Sequence, residues 1–148
     1  MIKKWRSRRD FTRAPITKYE LSVVLKYSCG TTGKLNSDRF RRAQASGGGR
    51  YPIEVYPVVF RPSAGSTSSP QASSGQVPGD PSAGGLKAGL YRYILQEAGH
   101  IGQDAYLVSE ALGMKCCALG GTRDENLEKL IDIDGVTESV VYALALGK

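Results

Sequence analysis

The stretch LQEAGHIGQDAYLVSEALGMKCCALGG, Leu95 to Gly121, holds a long amphipathic pattern and a short apolar run with a glycine between them. Leu95, Ala98, Gly102, Ala105, Val108 and Leu112 recur at spacings of three and four. That is the period of a helix with one apolar face, and Gly113 can end it. Lys115 to Leu119 then reads as a short buried strand, with one of Cys116 and Cys117 facing in and the other out. Gly99 and Gly102 lower helix propensity, which predicts close approach of another backbone on that face. The preceding Gly89-Leu90-Tyr91-Arg92-Tyr93 is either a short aromatic strand or the opening of this helix.

Outward from this core, Thr122-Arg123-Asp124-Glu125 has the form of a capping box opening a helix through Leu127, Leu130 and Ile131, and Ser139 to Leu146 reads as a final strand. Upstream, a basic lead-in over 1–14 precedes Thr17 and Glu20, a second capping box. Leu21, Val24 and Leu25 continue that helix to a stop at Gly30. Residues 31–50 read as irregular and exposed. Ile53, Val55, Pro57 and Val59 alternate with Glu54, Tyr56, Val58 and Phe60, a strand whose Pro57 points to an edge or a bulge. From Pro62 to Gly85 the chain is almost entirely Ser, Gly, Ala, Pro and Gln, with Val77 the only large apolar residue and Asp80 the only charge. Such a segment buries too little to offset its ordering entropy, so it reads as a flexible loop spanning ~27 Å.

A chain of 148 residues suits one domain with its own core, and 41% hydrophobic with 23% charged residues lies in the ordinary range. The basic N-terminus is not followed by the apolar core of a secretory signal, and the longest apolar run, Val140 to Leu146, is too short for a membrane span. A cytoplasmic protein is expected. The three cysteines, two of them neighbours, argue against a disulfide framework and against a zinc site, and the lone His100 has no second histidine nearby.

The net charge of +6 conceals an asymmetry: residues 1–50 carry 13 Lys or Arg against 3 Asp or Glu, whereas residues 51–148 carry 7 against 11. The N-terminal third is therefore the anion-seeking part, suited to nucleic acid, to a phosphorylated cofactor or to a plain solvated face. No zinc-finger spacing, aromatic RNA-binding strand or helix-turn-helix pattern accompanies it. Ser46-Gly47-Gly48-Gly49 follows this block. Adjacent glycines let backbone N–H groups approach a ligand closely, although the same triplet also serves as a plain turn.

Four passages taken in order carry a resemblance: Arg6-Ser7-Arg8-Arg9-Asp10-Phe11; Leu21 to Gly30; Ser46 to Tyr56; and Gly99 to Gly121, followed by Asp132-Ile133-Asp134-Gly135 and Leu144-Ala145-Leu146-Gly147. The chain resembles the nitroreductase-like FMN enzymes, closest to the SagB-type, McbC-like azoline dehydrogenases, in a shortened form. The resemblance implies an α+β, nitroreductase-like fold with a central, mainly antiparallel sheet flanked by helices. One core element, a helix and strand between Ile53 and Gly99, is expected to be missing where the low-complexity loop stands.

The resemblance also implies a site. Arg6, Ser7 and Arg9 would hold the FMN phosphate and ribityl chain, in keeping with the bidentate fit of guanidinium to phosphate. Ser46, Gly47 and Gly48 would lie on the flavin ring of a partner subunit. Gly120 and Gly121 would present backbone N–H to the flavin N5 edge, and Lys148 would approach the phosphate. Lys87 and Tyr91 correspond to a proton-removing pair, though at a different spacing. The expected protein is thus an FMN-dependent homodimer that moves two electrons between flavin N5 and a small molecule or an azoline ring in a peptide, with NAD(P)H as a possible donor. Two other readings stand beside it: a shortened, catalytically impaired scaffold in a peptide-modifying complex, and a basic nucleic-acid-binding module.

Overall fold

The computed structural model describes residues 2–34, 36–37, 40–59, 71–74 and 87–148. In chain order they form α1 (Lys18–Cys29), β1 (Thr31–Lys34), β2 (Phe40–Arg42), β3 (Val55–Val58), β4 (Gln71–Ser74), α2 (Lys87–Ala111), β5 (Lys115–Leu119), α3 (Asp124–Ile131) and β6 (Tyr142–Gly147), with a single 3₁₀ turn over Gly47–Gly49. β1 and β2 form a small antiparallel hairpin, and the other four strands form one antiparallel sheet in the order β3-β4-β6-β5.

α1 begins where the sequence places it. Glu20 N–H donates to Thr17 Oγ1 at 3.1 Å while Thr17 N–H donates to Glu20 Oε2 at 2.8 Å, so two otherwise orphaned amides are satisfied reciprocally. It ends at Gly30, where a Cβ would lie 2.5 Å from the Lys26 carbonyl oxygen. α1 packs against α2, and α2 packs on β5 and β6. One buried cluster joins Val24 of α1 to Ala105 and Tyr106 of α2, Met114, Cys116 and the β6 residues Leu144 and Leu146. A second gathers Ile53 with Ile94, Ala98 and Ile101 of α2.

Several sequence expectations need correction. Residues 31–34 and 40–42 are not irregular but form the paired strands β1 and β2. Thr31 to Lys34 are all exposed, so β1 shows no apolar alternation and its ladder to β2 is written only in backbone pairing. Cys116 and Cys117 do not divide between inside and outside, because both faces of β5 are covered and both thiols are buried. Of the two readings left open for Gly89 to Tyr93 the structure shows the second, with Tyr91 and Tyr93 in the opening turns of α2. The close neighbour of Gly102 is the Tyr142 ring and not a backbone, with a Cβ at Gly102 falling 2.4 Å from it, while the space at Gly99 is open. Thr122 forms no capping box: the N-cap of α3 is Arg123, and Thr122 Oγ1 donates to Asp124 Oδ1 at 2.8 Å.

Most of the expected loop, 62–70 and 75–85, lies outside the described residues. The four between them differ from expectation, since β4 occupies the sheet position between β3 and β6, with Ser73 opposite Tyr56 on one side and Ala143 on the other. Pairing on both edges supplies what the side chains of Gln71-Ala72-Ser73-Ser74 do not advertise, because strand propensity is weaker than the demand of two open neighbours.

Candidate functional site

Among the described residues β5 has only β6 as a strand partner, so its other edge finds hydrogen bonds elsewhere. The N-terminal segment supplies them. Arg8 N–H donates to the Cys116 carbonyl at 3.0 Å, and Ala118 N–H donates at 2.6 Å to the hydroxyl of Tyr106, which lies 2.6 Å from Ser7 Oγ. The Trp5 ring stacks at a tilt on Tyr106, centroids 4.9 Å apart. Further along, Lys115 pairs with Asp10 at 3.0 Å, Phe11 packs against the Cβ-less face of Gly147, and Thr12 N–H donates to the Lys148 carbonyl. A basic segment with no secondary structure of its own is thereby held along the sheet edge.

That arrangement carries Arg9 to the mouth of a cleft of about 560 Å³ at the C-terminal end of β5, facing Gly120, Gly121, Thr122, Arg123 and Asn126. Nothing lies within 4 Å of where a Cβ at Gly120 or Gly121 would sit, so a ligand can come up to this backbone. Arg9 and Arg123 form no ion pair among the described residues, whereas Arg8 faces Glu110 at 3.8 Å. Two uncompensated guanidinium groups and an open glycine backbone form a receptor for an anionic group.

The glycine triplet forms a separate feature. Ser46 Oγ accepts Tyr51 N–H at 2.9 Å, and Gly48 and Gly49 take positive φ values of 69° and 63°. The turn leans on α2: a Cβ at Gly47 would sit 2.8 Å from the Tyr93 ring, His100 Nδ1 lies 3.3 Å from the Ala45 carbonyl, and Gln44 Nε2 donates to the buried Glu97 carboxylate at 3.2 Å. Beside it, Phe40, Arg42, Gly49, Arg50 and Tyr51 line a hollow of about 340 Å³.

Of the residues singled out from the sequence, the structure brings together Arg9, Gly120 and Gly121. Ser7 stands beside them through Tyr106 and Ala118, and Arg6 is exposed without an ion pair among the described residues. Ser46, Gly47 and Gly48 do not line this cleft, so within one chain the two features stay apart. Lys148 does not line it either; its amine is held by Glu20 at 2.9 Å. The Thr17 amide, and after it Lys148, draw the Glu20 carboxyl down to about 2, which favours its charged form. Tyr91 is exposed on α2 one turn from Lys87, whose side chain lies outside the described residues. Burial pushes the Cys116 thiol up to about 12 and raises that of Cys29, which leaves both as packing groups. Sequence reading missed Arg123 and Tyr106. A cation two residues after a glycine pair at the end of a strand is a usable signal for Arg123, while the reach of Tyr106 to another element has none.

Among the described residues no group of three or more His, Cys, Asp or Glu is placed to hold a metal, and no helix is long and apolar enough to cross a membrane. No curated protein sequence matches the chain. Residues 84–148 match the family model described as Nitroreductase family. Solved structures of the same architecture cover nearly the whole chain. The chain has a nitroreductase-like fold. One such structure is the Escherichia coli microcin synthetase McbBCD complex with truncated pro-MccB17 bound, with a TM-score of 0.75 at 16% identity over 98% of this chain and 69% of that one. A nitroreductase family protein from Clostridium novyi superposes with a TM-score of 0.71 at 14% identity, over 99% and 81% of the two chains. Nitroreductase A from Vibrio parahaemolyticus does so at 0.70 and 16% identity, over 99% and 65%. Identities this low establish the nitroreductase-like fold and leave activity to be argued from the site.

Proposed function

We propose that this nitroreductase-like protein is an FMN-dependent oxidoreductase, acting as a homodimer on a small molecule or on an azoline ring in a peptide. The observation that carries the reading is the cleft where the unpaired guanidinium groups of Arg9 and Arg123 face the open backbone of Gly120 and Gly121. These residues fit a phosphorylated planar cofactor: the guanidinium groups and Ser7 bind and orient its phosphate, with Arg6 alongside, and the glycine N–H groups stabilise negative charge on its ring. When bound, FMN supplies two-electron transfer at ring N5, with reduced nicotinamide or the carbon of the azoline as hydride source.

The Ser46 to Gly48 turn serves the site of a second copy, its lack of side chains letting it lie flat against a ring. Its separation from the cleft within one chain and the exposed aromatic residues Tyr19 and Tyr27 of α1 and Tyr91 and Tyr93 of α2 support a two-chain site. Tyr91, with Lys87 one turn before it, is the candidate for holding and removing a carbon-bound proton from an azoline substrate. Lys148, engaged by Glu20, adds positive potential and no direct contact.

The test is an absorbance spectrum after saturation with FMN and gel filtration, followed by assay of reduced-nicotinamide oxidation. Retained flavin bands near ~370 and ~450 nm on a species eluting as a dimer, with turnover, are expected. A folded protein that elutes colourless and never turns over ends the enzyme reading and leaves the scaffold role.

A further inference from the structure

We propose that the hollow lined by Phe40, Arg42, Gly49, Arg50 and Tyr51 is a second ligand site, one that takes an aromatic ring bearing a phosphate or a carboxylate. It shares no lining residue with the Arg9 cleft and does not rest on the flavin reading. Its volume of about 340 Å³ suits a small molecule. The lining joins two aromatic side chains to two cationic ones. Rings offer stacking faces and guanidinium groups offer forked donors, so the ligand that uses both carries a ring and an anion. The two cations are not equivalent. Arg42 is partly engaged: its Nη1 donates to the Ile53 carbonyl at 3.4 Å, its Nη2 faces the exposed Glu54 carboxylate at 3.8 Å, and its guanidinium carbon lies 5.7 Å from the Tyr51 ring centroid. Arg50 is exposed and forms no ion pair among the described residues. Arg42 and Tyr51 therefore make a stacked wall, and Arg50 is the group left to meet the anion. The Lys34 amine, 5.9 Å from the Phe40 ring centroid, adds positive potential beside the second ring.

The backbone holds these groups at a conformational cost. Tyr51 takes a φ of 49°, a value that a residue with a side chain seldom adopts, and its N–H is held by Ser46 Oγ at 2.9 Å. Strain of this kind persists where the surroundings impose it, and here it accompanies the placing of the Tyr51 ring under Arg42. Phe40 and Arg42 come from β2, whereas Gly49, Arg50 and Tyr51 come from the turn that follows. The segment between them is pinned, since Ala43 N–H donates to the Gly30 carbonyl at 2.9 Å and the buried Gln44 donates to Glu97 at 3.2 Å. The two sides of the hollow are thus fixed before a ligand arrives, which lowers the ordering cost of binding.

The experiment titrates the full chain with AMP and, separately, with benzoate, followed through the Gly49 and Tyr51 amide resonances. Adenosine, benzyl alcohol and inorganic phosphate serve as the matched compounds that lack the anion or the ring. Saturable shifts with AMP or benzoate are expected, with each matched compound about tenfold weaker or more. Saturation by AMP alone identifies a nucleotide as the source of the ring and charge, and saturation by benzoate identifies an aromatic acid. Arg50→Ala and Phe40→Ala should each weaken binding about tenfold, whereas Arg9→Ala leaves the shifts at these two amides unchanged. Arg50 is exposed and Phe40 is 51% exposed, so neither change empties the core. If Phe40→Ala does not fold, Phe40→Leu keeps the apolar body, loses the ring and should show the same weakening. The proposal is overturned by the absence of saturable shifts with both AMP and benzoate, or by matched compounds that bind as tightly as their parents. Wild-type affinity in Arg50→Ala, or loss of the shifts in Arg9→Ala instead, overturns it as well.

Discussion

The half of the molecule from Lys87 onward and the half before Val59 do different work. Of the fourteen buried hydrophobic residues among those described, only Val24 and Ile53 come from the N-terminal half, so this core is built almost wholly by α2, β5, β6 and Met114. The first 50 residues instead carry 13 of the 20 basic side chains. The contrast teaches that here the apolar platform and the anion-binding groups are separable in sequence, and that the family model matches the platform half, residues 84–148. What the N-terminal half contributes is charge delivered to a sheet edge by a few hydrogen bonds.

The comparison breaks most readily in the platform. Ile94→Ala removes a side chain buried against Ile53, Ala98 and Ile101, and should cost about 2–5 kcal/mol in urea unfolding. A loss below about 1 kcal/mol would mean that the platform does not carry the fold. Next in size is the tether between the halves. Gln44→Ala leaves the buried Glu97 carboxyl group without its one hydrogen-bond partner among the described residues, and should lower stability by about 1–3 kcal/mol. Parallel melts of Gln44→Ala and Gln44→Glu, the second adding a like charge, sharpen this, the Glu variant being expected to melt lower.

Arg9→Ala should behave oppositely to Ile94→Ala. It removes an exposed guanidinium with no ion pair among the described residues, so stability stays within about 0.5 kcal/mol while FMN affinity falls about tenfold or more. Equal binding by variant and wild type would detach the cleft from the proposed function.

The smallest effect is acid sensitivity at the seam formed by Glu20, Thr17 and Lys148. The folded carboxyl lies near 2, below its ordinary 4.5, so its stabilisation is present above the higher value and is lost as pH falls through the lower one. Melting temperatures between pH 6 and pH 2 should therefore drop less steeply for Glu20→Gln than for wild type. Identical slopes would show that the seam contributes nothing.

These effects also mark what could be read in the sequence. α1, α2 and β5 were legible because their signals are local: a Thr17 and Glu20 pair, an apolar stripe from Leu95 to Leu112, and a short apolar run after Gly113. β1 and β2 were not, since a hairpin exposed on both faces needs no apolar pattern. Nor was β4, whose pairing is imposed by β3 and β6, strands far from each other in sequence. Within the site, Arg9 and the Gly120-Gly121 pair are visible as motifs. The link through Tyr106 is not, because it joins residues 99 apart in sequence through one phenol oxygen.

β6 is the strand to which both β4 and β5 are zipped, and it follows every other described element in the chain. On a ribosome the neighbours of this strand are therefore made before their shared partner exists. Until Tyr142–Gly147 emerges, β4 and β5 each present an unsatisfied backbone edge, and no strand among the described residues joins the β3–β4 pair to β5. The sheet is completed in one late event, and the interval before it is when the nascent chain is most open to mispairing with another copy of itself.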